Sequence, residues 1–220
     1  MKKVFLCVLL GIMMVAVCGF TYFDEEDKDG FDINDLYDYQ KEYKTEELSV
    51  CSLNTAKTYM DYRMTTLVSS RQYQFLNYEC TVDKQTGFLY DEEGFIAVAL
   101  GSYYGEIGDR FYFTLDSGIV LPLVKGEEKD DGDTDSTNCF QRWDGSIVEF
   151  VISDEYAAAY FGANGNGYVL DGNYNNYSLF QGSFVKVEKV LDEKNEDLVS
   201  YSVETDVPTN VDIFNYASGY

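Results

Sequence analysis

The sequence predicts a mainly β protein built as a small barrel of short strands with one short helix. Three observations predict it. The chain carries 20 Tyr and 15 Phe against one Trp, and Tyr and Phe suit the pleated surface of a strand. From Phe95 onward, short apolar or alternating runs follow one another. Tight turn signals such as Asp116-Ser117-Gly118 separate them, and that succession fits a small barrel.

The elements follow in chain order. Met1-Lys2-Lys3 is a basic start, and Val4 to Phe23 contains no charge. Twenty helical residues span roughly 30 Å, about the thickness of a bilayer core. Residues 1–23 therefore read as a cleaved signal peptide or an uncleaved membrane anchor, with lipidation at Cys18 as a third option. Each option places the body outside the cytoplasm, secreted or held at the outer face of the membrane by residues 4–23. Residues 24–47 read as an acidic spacer. Within it, Asp27 to Leu36 resembles an EF-hand calcium loop, but the spacing after Gly30 is one residue short.

Residues 48–94 form a mixed segment, with a short helix expected from Asn54 to Leu67 and a strand from Arg71 to Thr81. The barrel is expected over residues 95–191. Its strands are Phe95 to Leu100, Arg110 to Leu115, Ile119 to Val124, Ser146 to Ile152, Gly167 to Leu170 and Phe184 to Val190. Pro122 puts its strand near an edge or a bulge. Ser153 is the expected cap of the short helix, with Asp154 and Glu155 in its first turn and Gly162 past its end. Asn164 to Tyr177 is a loop rich in Asn, Gly and Tyr, suited either to positive backbone angles or to sugars. Residues 192–220 read as a tail.

Charge and composition exclude several functions. The net charge of -23 opposes binding to nucleic acid, whose affinity comes mainly from Lys and Arg. The chain has no His, which removes a Ser-His-Asp triad, a Cys-His peptidase and an HExxH zinc site. Acid/base chemistry would fall to carboxylates. Beyond Cys18 the cysteines are Cys51, Cys80 and Cys139. An odd count implies one disulfide and a spare thiol, or none paired. Cys51–Cys80 is the expected pair.

Several segments carry a family resemblance. They are Thr58-Tyr59-Met60-Asp61-Tyr62-Arg63, Ser69-Ser70-Arg71-Gln72-Tyr73, Ala97 to Gly105, Ile107-Gly108, Gly126 to Asp135, and Val148 to Ile152. Together they resemble uncharacterised proteins of Gram-positive gut bacteria and their phages. That family is similar to the double-psi β-barrel of the three-aspartate lytic transglycosylase domain and of rare lipoprotein A. The resemblance covers roughly Tyr59 to Leu191 and implies a double-psi-like barrel. It also implies an exported cell-envelope protein that cleaves peptidoglycan or another surface glycan. Departures accompany it. Glu127 and Asp130 stand where the family tends to have Asp and Ala, and Asp133 stands where it has His. Glu127 and Glu149 are the nearest equivalents of two transglycosylase aspartates, each one methylene longer.

Asp131 or Glu127 is thus the expected general acid/base, with Glu149 as a further catalytic carboxylate. Tyr103, Tyr104, Lys129 and Asp135 are the expected substrate contacts. Crowding among Glu127, Glu128, Asp130, Asp131, Asp133 and Asp135 would raise some of their pKa values, and Lys129 would oppose this. The same cluster also reads as a solvated loop or as a cation site. Calcium is the cation that fits this spacing, although Ser136 and Arg142 stand where a calcium loop wants Gly and Glu, and no other cofactor is implied. A non-catalytic module that binds wall glycan or a surface protein is the alternative.

Overall fold

Strand pairing begins before the expected barrel. The computed structural model describes residues 32–194. The export segment 1–23, the first half of the calcium-like loop (residues 27–31) and residues 195–220 of the tail lie outside the described residues. Among those described, no helix is long and apolar enough to cross a membrane.

The chain is mainly β, with nine strands among the described residues. They are β1 (Tyr43–Leu48), β2 (Thr58–Asp61), β3 (Thr81–Val82), β4 (Leu89–Tyr90), β5 (Ile96–Leu100), β6 (Arg110–Leu115), β7 (Val120–Glu128), β8 (Glu149–Ile152) and β9 (Phe184–Lys194). They join in one mixed sheet of order β1-β9-β6-β7-β5-β4-β3, with β8 paired to both β5 and β2. The pairings are compatible with a small barrel-like fold, but the sheet is not closed. β5 runs parallel to β7, and β2 parallel to β8. The expected spacer therefore supplies β1, which pairs with β9 from Leu48↔Val187 to Tyr43↔Lys194. Ile33 and Leu36 in the short 3-10 turn before it are buried.

β6 and β7 form the predicted hairpin. Gly118 at its turn has φ +91°, a conformation that L side chains resist. Pro122 pairs with Tyr112 on β6, one residue before β7 meets β5 at Leu123↔Ile96. The residue without an N–H thus sits where the second neighbour has not yet begun.

Two local expectations before the barrel fail. Residues 54–67 hold no helix beyond one 3-10 turn, Tyr62–Met64. β2 takes their place because β8 offers it a parallel partner. Residues 71–81 are helical rather than extended: α1 (Arg71–Gln74) runs into a π turn, Phe75–Glu79. The Ser70 hydroxyl accepts the Tyr73 N–H at 3.1 Å and caps it. The consecutive residues Phe75 and Leu76 are both buried, which a strand alternating between two faces would not allow on one side.

α2 (Asp154–Phe161) is the predicted helix, and Gly162 ends it. Ser153 occupies the cap position without a side-chain cap bond. The Asp61 carboxylate instead accepts the Asp154 N–H at 3.0 Å and also grips Arg63. Residues 163–180 hold three 3-10 turns rather than the strand expected at 167–170, of which one bridge remains, Ala163↔Val169.

β8 divides the core. Val151 joins Ala97, Val124, Phe75 and Leu76 in one apolar cluster. Phe150, next in alternation, stacks with Phe88, Tyr174 and Phe180 on the other side. Two lysines are enclosed among such residues. Lys57 donates to the Thr55 and Gly182 carbonyls, and Lys125 to those of Gly101 and Gly105. Buried ammonium groups need such partners.

The expected Cys51–Cys80 pair is corrected to Cys51–Cys139, with Cα atoms 6.2 Å apart, within the usual disulfide range. The cause lies in the loop. The Asp135 carboxylate gathers the N–H groups of Thr137, Cys139 and Phe140 and so fixes the backbone that presents Cys139. Cys80 is a free thiol, and burial pushes its pKa up to about 12. It is no ready nucleophile.

Candidate functional site

The site starts from a β-bulge. Val98 pairs with Lys125, but Ala99 pairs with Glu127, so Gly126 is an extra residue in β7. Strict alternation from Val124 would send Glu127 to the opposite face. The bulge returns it to the face of Val124, and bulges commonly re-aim a side chain in this way. Gly126 suits this close approach, since a Cβ would stand 2.8 Å from the end of the Leu76 side chain and 3.3 Å from the Ala97 Cβ, and Leu76 would have to shift.

On the other side of β5, Ala99 pairs with Glu149 of β8. The two glutamates therefore flank one alanine in a single row across three strands. Two strand spacings separate their Cα atoms, about 9–10 Å. Both carboxylates are half-buried. Glu127 accepts from the Thr65 hydroxyl at 2.7 Å and from the Gln72 amide at 2.8 Å. Burial raises its pKa above the usual carboxylate value, Thr65 opposes this, and the Glu149 charge adds to it. Burial likewise raises the Glu149 pKa, against the pull of Lys129 and with a contribution from Asp144. Lys129 is buried at 7% exposure and donates to the Ser146 carbonyl at 3.3 Å. Burial lowers its pKa, while Glu149 and Asp144 raise it.

Glu149 opens on a cavity of about 330 Å³, lined also by Tyr59, Gln141, Asp144, Tyr168 and Gly172. A half-buried carboxylic acid whose burial raises its pKa, facing a cavity lined by tyrosines, keeps its proton to higher pH than a free carboxylic acid and can deliver it to a bound ligand.

The other expected site residues lie elsewhere. Asp131 is exposed on a turn, where it accepts from the Ser102 hydroxyl at 2.7 Å. Asp135 organises its own loop, and its hydrogen bonds hold the carboxyl down at about 2. Tyr104 is 1% exposed, with its hydroxyl 3.1 Å from the Cys139 sulfur, so of the adjacent tyrosines only Tyr103 presents surface to a ligand. Lys129 is buried, within reach of the Glu149 charge, and offers no open contact. Glu127 and Glu149 are the members of the expected set that the sheet brings into one row. No group of acidic or cysteine side chains arranged to hold a metal ion is found among the described residues.

Thr65, Gln72, Tyr59, Gln141, Asp144 and Tyr168 were not singled out by sequence reasoning as site residues. Tyr59 and Gln72 do lie in the segments that carry the family resemblance. Compared with models of protein families, with curated proteins and with solved structures, the chain matches none.

Proposed function

We propose that the protein is an exported cell-envelope enzyme that cleaves peptidoglycan glycan strands by carboxylate acid/base chemistry of the lytic transglycosylase type. The observation that carries this reading is the row Glu149–Ala99–Glu127, with Glu149 open to the cavity. Protonated Glu149 gives its proton to the glycosidic oxygen as the bond from that oxygen to C1 breaks. The carboxylate then takes the proton of the sugar's 6-hydroxyl as that oxygen bonds to C1. Acid and base are thus one group, returned to its starting state. Glu127, held by Thr65 and Gln72, lies on the same face of the sheet but is not one of the residues lining the cavity, so the acid/base step falls to Glu149.

Digestion of purified peptidoglycan tests this. Anhydro-muropeptides are expected with the native protein, and Glu149→Gln should remove them. The second reading, a non-catalytic module that binds wall glycan, draws on the exposed rings of Trp143 and Tyr168, at 75% and 55%. Co-sedimentation with peptidoglycan without any release would select it. Neither release nor co-sedimentation would end both readings.

A further inference from the structure

We infer that the Glu149 cavity takes a sugar carrying a free, protonated amino group, a glucosamine unit rather than its N-acetylated form. This rests on the glycan reading above and names the substrate class of the same site.

Two acidic side chains, Glu149 and Asp144, line the cavity together with Tyr59 and Tyr168, and none of its described lining residues carries a positive charge. Lys129 offsets part of the acidic charge. A cation beside Asp144 and the two tyrosines gains ion-pair and cation–ring attraction together, and Glu149 adds to it once it has given up its proton. A neutral acetamide gains neither.

The walls are built before any ligand arrives. The Tyr59 hydroxyl accepts the Val169 N–H at 3.1 Å, and its ring stands edge-on to Tyr174 at 6.1 Å. Between Tyr168 and Gly172, Leu170 and Asp171 hold φ values of 44° and 58°, left-handed conformations that cost a non-glycine residue energy. Two amides hold this turn. Asn176 donates to the Leu170 carbonyl at 2.8 Å, and Asn164 to the Asp171 carboxylate at 2.7 Å. A strained segment, fixed at both of its unusual residues, thus shapes one wall of the cavity. The volume of about 330 Å³ lies at the low end of small-ligand sites, roughly 300–1,000 Å³. That suits a short length of sugar chain better than a folded partner. The net charge of -23 also draws cations toward the surface.

Calorimetry on the full chain with a glucosamine tetrasaccharide, its N-acetylated counterpart and a tetralysine peptide is the test. The glucosamine tetrasaccharide should bind at least about fivefold tighter than the acetylated one, and the exposed-side variants Tyr168→Ala and Asp144→Asn should each weaken it about three- to tenfold. Equal or tighter binding of the acetylated sugar overturns the inference, as does binding of neither sugar. Equal binding of tetralysine overturns it too, because charge alone would then explain the affinity. The assay separates the two proposals. Peptidoglycan cleavage without a glucosamine preference removes this inference and leaves the enzyme. A glucosamine preference without cleavage keeps the inference and removes the catalytic step.

Discussion

Two groups of acidic residues, close together in the chain, have opposite fates. In the loop 130–135, each of Asp130, Asp131 and Asp135 bonds to nearby backbone N–H groups or hydroxyls, and Asp130 and Asp131 are exposed. Just before it, Glu127 is set in a strand, turned by a bulge and half-buried across Ala99 from Glu149. Burial raises the pKa of both glutamates, while local hydrogen bonds lower that of Asp135. A dense run of carboxylates is therefore no guide to reactivity. What matters is whether the backbone satisfies the charge or the sheet withholds water from it.

The largest expected effect would break this contrast if it failed. Glu149→Gln should lower glycan cleavage about 10²- to 10⁴-fold, the usual contribution of a general acid/base, while Asp131→Asn should leave the rate within about twofold. Equal losses in both would move the chemistry back to the loop. The pH profile sharpens the point. Protonated Glu149 is the active form, so the rate should fall as pH rises through its raised pKa, and that limb should disappear in Glu149→Gln.

Next comes the staple of the acidic loop. Cys51→Ser or Cys139→Ser should cost about 2–5 kcal/mol in denaturant unfolding, and Cys80→Ala much less. A loss for Cys80→Ala equal to that of one of the two, with the other left near neutral, would place Cys80 in the bond.

Smaller again is the loop carboxylate. Asp135→Ala leaves three N–H groups without their acceptor and should cost on the order of 1–2 kcal/mol. The folded pKa of Asp135, about 2, lies below its ordinary value of 3.8. Its contribution is therefore complete above pH 3.8 and fades as pH falls through 2. Acid unfolding of native and variant protein should converge there.

The smallest effect has the opposite sign. Glu127 and Glu149 hold protons more tightly folded than unfolded, so each costs stability as pH rises above 4.5. Glu127→Gln and Glu149→Gln should raise the thermal midpoint slightly at neutral pH, the usual trade of stability for activity. A lowered midpoint in both would show that these side chains act as structural supports.

Much of the fold was legible where one face of an element decides its pattern. The hairpin of β6 and β7, the apolar β5, the alternating β9 and the stop at Gly162 follow from local rules of period and turn. Residues 54–81 were not legible, because β2 exists through its pairing with β8, and the buried neighbours Phe75 and Leu76 favour a helical turn over a strand. At the site, Glu127 and Glu149 were nameable from the segments that carry the resemblance. Their alignment across Ala99 depends on one extra residue at Gly126, which no periodicity announces. Tyr168 and Gln141 reach the cavity only through loop folding.

By itself, the sequence determined that the chain is mainly β and that no imidazole can do acid/base work, since His is absent and side-chain chemistry is set by composition. The tertiary structure decided which carboxylates lose their water, which cysteines meet and which lysines are enclosed. Those outcomes depend on distances between residues far apart in the chain, and only strand pairing and loop packing fix such distances.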